Sequence, residues 1–288
     1  MRETGDGTDE RGVREADVVV VGCGAAGLSA GVRAAELGLD VVLLEKSPEE
    51  HRGGQTRFSE SFRVPSAEAD LSTYGYEFAV PDYTPDAFYD DVMARTSGKA
   101  DPDLARTLVD GAAPTVEWLT EQGVEWNMEP LAVGYTVGRT WMDGESFVGT
   151  LVQRATGLGA DVVYEAEART LHFDDEGRVA GLTAAVDAGR VRFDCECVVL
   201  AAGGYESSPE KRARYYGPGY DDMTVRGSRY NTGEGIEMAL DAGANAVGQW
   251  SGAHMALIDA NAPPVEGGAN RVDGYQYGVI LNVAGERF

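Results

Sequence analysis

Lysine is almost missing from this chain. Only Lys46, Lys99 and Lys211 occur, and 24 Lys plus Arg stand against 48 Asp plus Glu, a formal net charge of −24. A surface of that sign repels phosphate backbones and anionic headgroups, which argues against nucleic-acid binding and electrostatic attachment to a membrane. Few lysines and a preference for arginine point to a salt-adapted (halophilic) cytoplasm, where ions screen the self-repulsion; an acidic protein from an ordinary cytoplasm is the alternative. Cysteine is scarce as well, and Cys23, Cys195 and Cys197 are too few for a disulfide framework. Cys195 and Cys197 share one face of a strand-like stretch, but no second Cys or His pair follows at zinc spacing, so no metal is expected. Long apolar runs are lacking. Val18 to Val21 and Val198 to Ala202 are strand-sized, far too short to span a bilayer. Residues 1–16 are polar, acidic and without the apolar stretch of a secretory signal, and they read as a disordered tail.

Glycine, by contrast, is plentiful at 38 of 288 residues. Its first cluster has a clear context. Asp17-Val18-Val19-Val20-Val21 reads as a buried parallel strand. Gly22-Cys23-Gly24-Ala25-Ala26-Gly27 follows at once, and Ala25 to Leu37 has helical composition ending before Gly38. Val41 to Leu44 is a second strand, closed by Glu45. That is a βαβ unit carrying a dinucleotide fingerprint. Gly22 serves the tight turn, Gly24 lets a pyrophosphate reach the backbone, and Gly27 lets helix and strand pack closely. The helix start offers free N–H groups and a positive dipole end to phosphate. Glu45 suits a ribose diol and disfavours a 2′-phosphate, so the ligand is not NADP. Cys23 fills space in the turn. His51-Arg52-Gly53-Gly54-Gln55-Thr56 then forms a loop able to lie against a second phosphate or a flavin ring.

The middle of the chain is mainly helical. Thr84-Pro85 and Asp101-Pro102 open helices over Pro85 to Thr96 and Pro102 to Gln122, and Glu145 to Leu158 reads as a third. After a short strand at Asp161 to Tyr164 come Glu167 to Phe173, Val179 to Val186 and Val191 to Leu200, an antiparallel meander split by acidic, glycine-containing turns. It runs into Val198-Val199-Leu200-Ala201-Ala202-Gly203-Gly204-Tyr205, a strand that delivers bare backbone to the same ligand. Ser208-Pro209 caps a helix. Asn231-Thr232-Gly233-Glu234-Gly235-Ile236 opens another, whose start suits a second phosphate or a ribityl chain.

On these motifs (GCGAAG with Glu45-Lys46, RGGQT, VVLAAGGY and NTGEGIEMALDAGA, in this order over residues 17 to 288) the chain resembles the flavoprotein family of fumarate reductase, succinate dehydrogenase and L-aspartate oxidase. Within it, EEHRGGQTR, VRGSRYNTG and GAHMALIDANAPPVEGG, then the terminal GVILNVAGERF, are most similar to the FAD-dependent tricarballylate dehydrogenases. The resemblance implies an α/β fold: a Rossmann-like FAD-binding domain with an antiparallel β-meander over residues 17–250, plus the beginning of an inserted α+β capping domain at 251–288. Taken with the motifs, it places FAD contacts at Gly22, Gly24, Ala25, Ala26 and Gly27, at Glu45 and Lys46, at Gly53, Gly54, Gln55 and Thr56, at Ala168, at Ala201, Ala202, Gly203 and Gly204, and at Thr232, Gly233 and Glu234. Gln55 stands where succinate dehydrogenases carry the histidine that links FAD covalently, so FAD is expected to be non-covalent.

The same resemblance implies dehydrogenation of a CH–CH unit of a small polycarboxylate, tricarballylate to cis-aconitate, with hydride passing to flavin N5. His254 matches the histidine that holds a substrate carboxylate. Arg271 and Arg229 are further candidates for an extra carboxylate, and Arg226 has the same standing; a solvated loop arginine is the competing reading of each. The Glu-x-x-Arg proton relay of fumarate reductases is replaced by Arg271 and Gly274. The family's catalytic arginine falls beyond Phe288, so the chain is expected to be C-terminally truncated and to hold no catalytic residue of its own. Electrons are expected to leave through an iron–sulfur or membrane-bound partner, which would place a cytoplasmic protein at the membrane periphery. A fumarate-, succinate- or 3-ketosteroid-type dehydrogenase, and a non-catalytic flavin-binding fragment, remain open.

Overall fold

A computed structural model of the chain describes residues 10–65, 83–126, 139–254, 256–265 and 277–287. By internal contacts it divides into two units. The first comprises residues 1–57, 145–212 and 228–246, and the second residues 58–144, 213–227 and 247–288. The second unit is thus assembled from three separated segments, and the boundary expected at residue 250 accounts for only the last of them.

The first unit is built on a six-stranded sheet. Its strands are β1 (Glu10–Val21), β2 (Val41–Leu44), β5 (Asp161–Val163), β6 (Glu167–Phe173), β7 (Val179–Val186) and β8 (Gly189–Leu200), in the order β5-β2-β1-β8-β7-β6. β5, β2, β1 and β8 pair in parallel, and β7 pairs antiparallel with both β8 and β6. Residues 10–16, expected in a disordered tail, instead extend β1 and pair with β8 from Glu10 onward. The reason is non-local: Arg190 to Cys195 offer them a ladder that nothing in the first sixteen residues announces.

Two-residue alternation assigns the faces of the parallel strands. Leu43 faces α1 (Ala25–Glu36), packed so closely that a Cβ on Gly31 would lie 2.8 Å from its Cδ2. Val19, Val21, Val42 and Leu44 point the other way, into a cluster with Leu182, Ala184, Phe193 and Met238. Met238 belongs to α6 (Glu234–Asp241). The layers are therefore helix, sheet and a second apolar face on which the antiparallel meander and α6 close.

In the second unit, α2 (Pro85–Arg95) and α3 (Pro102–Glu121) start where their caps predict. The Thr84 hydroxyl accepts from the Ala87 N–H at 3.1 Å, and Asp101 Oδ1 accepts from the Asp103 and Leu104 N–H groups at 2.9 and 3.1 Å. A short antiparallel pair, β3 (Ser61–Arg63) with β4 (Arg139–Trp141), completes it. That pair has no sequence signature, being too short to show a period. The helix read over Glu145 to Leu158 is α4 (Gly144–Gly157), and Ser208-Pro209 opens α5 (Pro209–Tyr215).

Leu182 is fully buried at the centre of the sheet's apolar face. Leu182→Ala is expected to lower unfolding free energy by about 2–5 kcal/mol, the transfer term plus a cavity. Denaturant titration followed by circular dichroism checks this, and a loss within the scatter of surface substitutions would contradict the assignment of that face as core.

Candidate functional site

The C-terminal ends of β1, β2 and β8 finish side by side. The Gly22 N–H donates to the Leu44 carbonyl at 2.7 Å, and the Ala201 N–H donates to the Val21 carbonyl at 2.9 Å. Two glycines make this geometry possible. Gly22 has φ +102°, and a Cβ there would lie 2.5 Å from the Ala201 oxygen. A Cβ on Gly27 would lie 1.8 Å from the Gly22 oxygen, so the first turn of α1 sits directly on the loop that precedes it.

Above these strand ends lies a cavity of about 390 Å³, formed wholly within the first unit. Its floor is Gly22, Gly24, Ala25 and Ala26; Gly54, Gln55 and Thr56 form one side, Ala201 to Gly204 another, and Glu45, Lys46, Ala168 and Glu234 complete the wall. Of the expected contacts, Gly27, Gly53, Thr232 and Gly233 stand behind the wall. Gly27 packs on Gly22, Gly53 on Val148, Thr232 bonds Lys46 and Glu234, and Gly233 precedes α6 as its N-cap.

The wall is held by specific polar bonds. Glu45 is buried, and its two carboxylate oxygens accept from the Cys23 and Ser47 N–H groups at 3.1 and 3.0 Å, which holds it at the tip of β2. Thr56 Oγ1 accepts from the Ala25 N–H at 2.8 Å, so the Gly53–Gly54 loop is tied to the start of α1. Lys46 Nζ bridges Thr232 Oγ1 (2.6 Å) and Glu234 Oε1 (3.0 Å), and lies 3.4 Å from Glu167. Burial pushes the Glu234 carboxyl upward, but hydrogen bonds from Thr232 and Lys46 outweigh it and hold the group below its ordinary range. Because Glu234 and Glu237 already occupy the first turn of α6, that helix start suits hydroxyl groups better than a second phosphate. The α1 start carries no acid and retains its positive end.

Sequence reasoning missed several wall residues: Glu206, Tyr230, Asn231, Ala166, Glu167, Gly235 and Met238. Asn231 and Gly235 lie inside the quoted NTGEG motif, and that proximity was a usable signal. Glu206 had none, since only folding brings it to Gln55. The substrate candidates are dispersed. Arg229 is exposed in the first unit and His254 is exposed in the second. Arg271, with Gly274, lies outside the described residues. Arg226, in the second unit, donates to Glu60 at 2.9 Å. Among the described residues no group of His, Cys, Asp and Glu is arranged to hold a metal ion.

A family profile described as "FAD binding domain" matches residues 17–288. Vinyl phenol reductase from Lactiplantibacillus plantarum is 29% identical over 296 residues, covering 94% of this chain and 56% of the relative. Urocanate reductase from Eggerthella lenta is 33% identical over 243 residues, covering 81% and 39%. Among solved structures, the open conformation of a flavocytochrome c3 fumarate reductase matches with a TM-score of 0.70 at 28% identity, over 83% of this chain and 42% of that one. A 3-ketosteroid-Δ4-(5α)-dehydrogenase from Rhodococcus jostii matches with a TM-score of 0.68 at 25% identity, over 84% and 56%. The chain spans about half, or less, of the length of these relatives.

Two predictions follow the geometry of the wall. Burial, reinforced by the Glu45 charge, drives the Cys23 thiol far above its ordinary range, whereas Cys197 is exposed. A thiol reagent at mildly alkaline pH should label Cys197 in the native chain and reach Cys23 only on unfolding, as read by peptide mass mapping; equal native rates would contradict the packing around Gly22. For Glu234 the folded pKa lies below its ordinary value of 4.5, so its stabilising contribution is complete above that value and is lost as pH falls below it. The stability difference between the chain and Glu234→Gln should therefore be constant near neutrality and close on acidification below pH 4.5. A difference that instead grows on acidification would refute the Lys46–Thr232 assignment.

Proposed function

The chain belongs to the FAD binding domain family, and on that premise we propose that it is the flavin-holding part of an FAD-dependent oxidoreductase of the fumarate reductase kind, working on carbon–carbon double bonds. The observation that carries this reading is the cavity itself. Backbone from Gly22, Gly24, Gly203 and Gly204 lines it where side chains would obstruct a pyrophosphate and its sugars, the α1 start faces it without an acid, and Glu45 stands at the ribose position. These residues fit FAD. The Ala25–Ala26 turn would hold the pyrophosphate and Glu45 the adenosine ribose. Gln55 and Thr56, with Ala201 to Gly204, would border the rest. Gln55 has no nucleophilic nitrogen to offer, which supports a non-covalent cofactor.

The chemistry FAD supplies when bound is two-electron hydride exchange with a carbon–carbon unit. This chain's residues bind, orient and exclude water. The relatives named for urocanate, fumarate and acrylate favour an alkene conjugated to a carboxylate. Within that class we favour cis-aconitate, the conjugated alkene formed when the small polycarboxylate tricarballylate is dehydrogenated. That choice rests on the stretches at 49–57, 225–233 and 252–268. His254, Arg229 and Arg271 are the groups proposed to meet its carboxylates. A ketosteroid is the second reading, favoured by the Rhodococcus jostii neighbour. Electrons are proposed to pass to a separate partner. No helix among the described residues is long and apolar enough to cross a membrane.

The test is the visible absorption spectrum of the purified chain in molar potassium chloride. Flavin in stoichiometric amount, released intact by acid, is expected. Anaerobic photoreduction followed by addition of fumarate, urocanate, cis-aconitate or a ketosteroid enone then identifies which class reoxidises it. A chain that takes up no FAD overturns the reading.

A further inference from the structure

We propose that Glu206 is an anionic positioning residue of the flavin site, clamping two cavity-facing amides and holding the cofactor's reduction potential down; this rests on the FAD reading above. Glu206 lies two positions after Gly204, in the segment that follows β8, and stands on the cavity wall. Its Oε1 accepts from Gln55 Nε2 at 2.5 Å and from Asn231 Nδ2 at 2.9 Å. The direction of the first bond follows from a third group. Gln55 Oε1 accepts from the Ser228 peptide N–H at 3.1 Å, and that N–H can only donate, so the other end of the Gln55 amide must be its NH2. Glu206 is thereby required as an acceptor, and bonds to an ionised acceptor are the strong kind.

The clamp joins three segments remote in sequence: the Gly53–Thr56 loop, the end of β8, and the approach to α6. Asn231 is buried, and its own carbonyl accepts from the Ser207 N–H at 2.9 Å, so the clamp is anchored to the backbone on both sides. Glu206 Oε2, by contrast, bonds no described residue and occupies the space a side chain on Gly204 would need. Among the described residues no cation forms an ion pair with it. Arg212 donates to the Glu206 backbone carbonyl at 2.7 Å, and Lys46, the cation on the described cavity wall, is paired with Glu234. A bound flavin therefore shares its cavity with an uncompensated carboxylate, which opposes the gain of electrons.

The experiment uses the FAD-loaded chain, with FAD affinity read by fluorescence titration and the midpoint potential by equilibration with reference dyes. Glu206→Gln is expected to raise the midpoint potential and to weaken FAD binding about ten-fold, because one amide is left facing another. Glu206→Asp keeps the charge, so its midpoint should stay with the parent while affinity falls. If Glu206→Gln does not fold, Asn231→Ala serves instead. It strips one donor from the carboxylate and is expected to lower the midpoint. An unmoved midpoint in Glu206→Gln, or in Asn231→Ala where that variant replaces it, with FAD bound, overturns this proposal and leaves the FAD reading standing. A parent chain that binds no FAD overturns both.

Discussion

Everything in the first unit depends on one close approach of backbone to backbone. The parallel pairing of β1 with β8 brings Val21 level with Leu200, and the loop that leaves β1 then passes over Ala201 with no room for a side chain at Gly22. The start of α1 rests on that same loop through Gly27. A single added methyl at either position would separate a strand end, a loop and a helix start at once. Because the three strand ends stop together, their loops open on one side of the sheet. That side holds the cavity, as is usual for ligands at the carboxyl ends of parallel strands.

Charge is distributed with equal economy. In a chain so acidic cations are scarce, and two of the three lysines serve α6 and its approach. Lys46 meets Thr232 and Glu234, and Lys211 meets the Thr232 carbonyl at 2.6 Å and Glu237 at 2.9 Å. The cavity floor itself offers amide groups and the positive end of α1, which act through fixed geometry at short range. Two of the wall carboxylates, Glu45 and Glu206, are fixed by N–H donors rather than by salt bridges among the described residues. Their positions are set by backbone and amide groups and so resist screening by salt, a useful property for a protein of this composition.

Much of this was readable from local pattern. Val18 to Val21 and Val41 to Leu44 are uninterrupted apolar runs because both faces of a parallel strand are buried, and the structure places them as adjacent strands. The helix starts at Thr84-Pro85 and Asp101-Pro102 were legible because a cap needs only residues two or three apart. The meander was legible because its turns separate alternating strands. The glycine motifs were legible because close approach leaves no substitute for glycine.

What the sequence by itself determined is therefore whatever a few consecutive residues can enforce: strand burial, helix starts, the βαβ unit and the glycine-lined floor of the site. Tertiary structure alone decided where partners come from far away. It extended β1 back to Glu10 on the ladder of β8, and it paired β3 with β4 across seventy-odd intervening residues. It drew the second unit from three separated segments. It also set Glu206 between Gln55 and Asn231, 151 and 25 residues away. The physical reason is the same in each case. A hydrogen bond or a ladder is satisfied by any suitable donor within reach, and reach is a property of the folded chain rather than of its order.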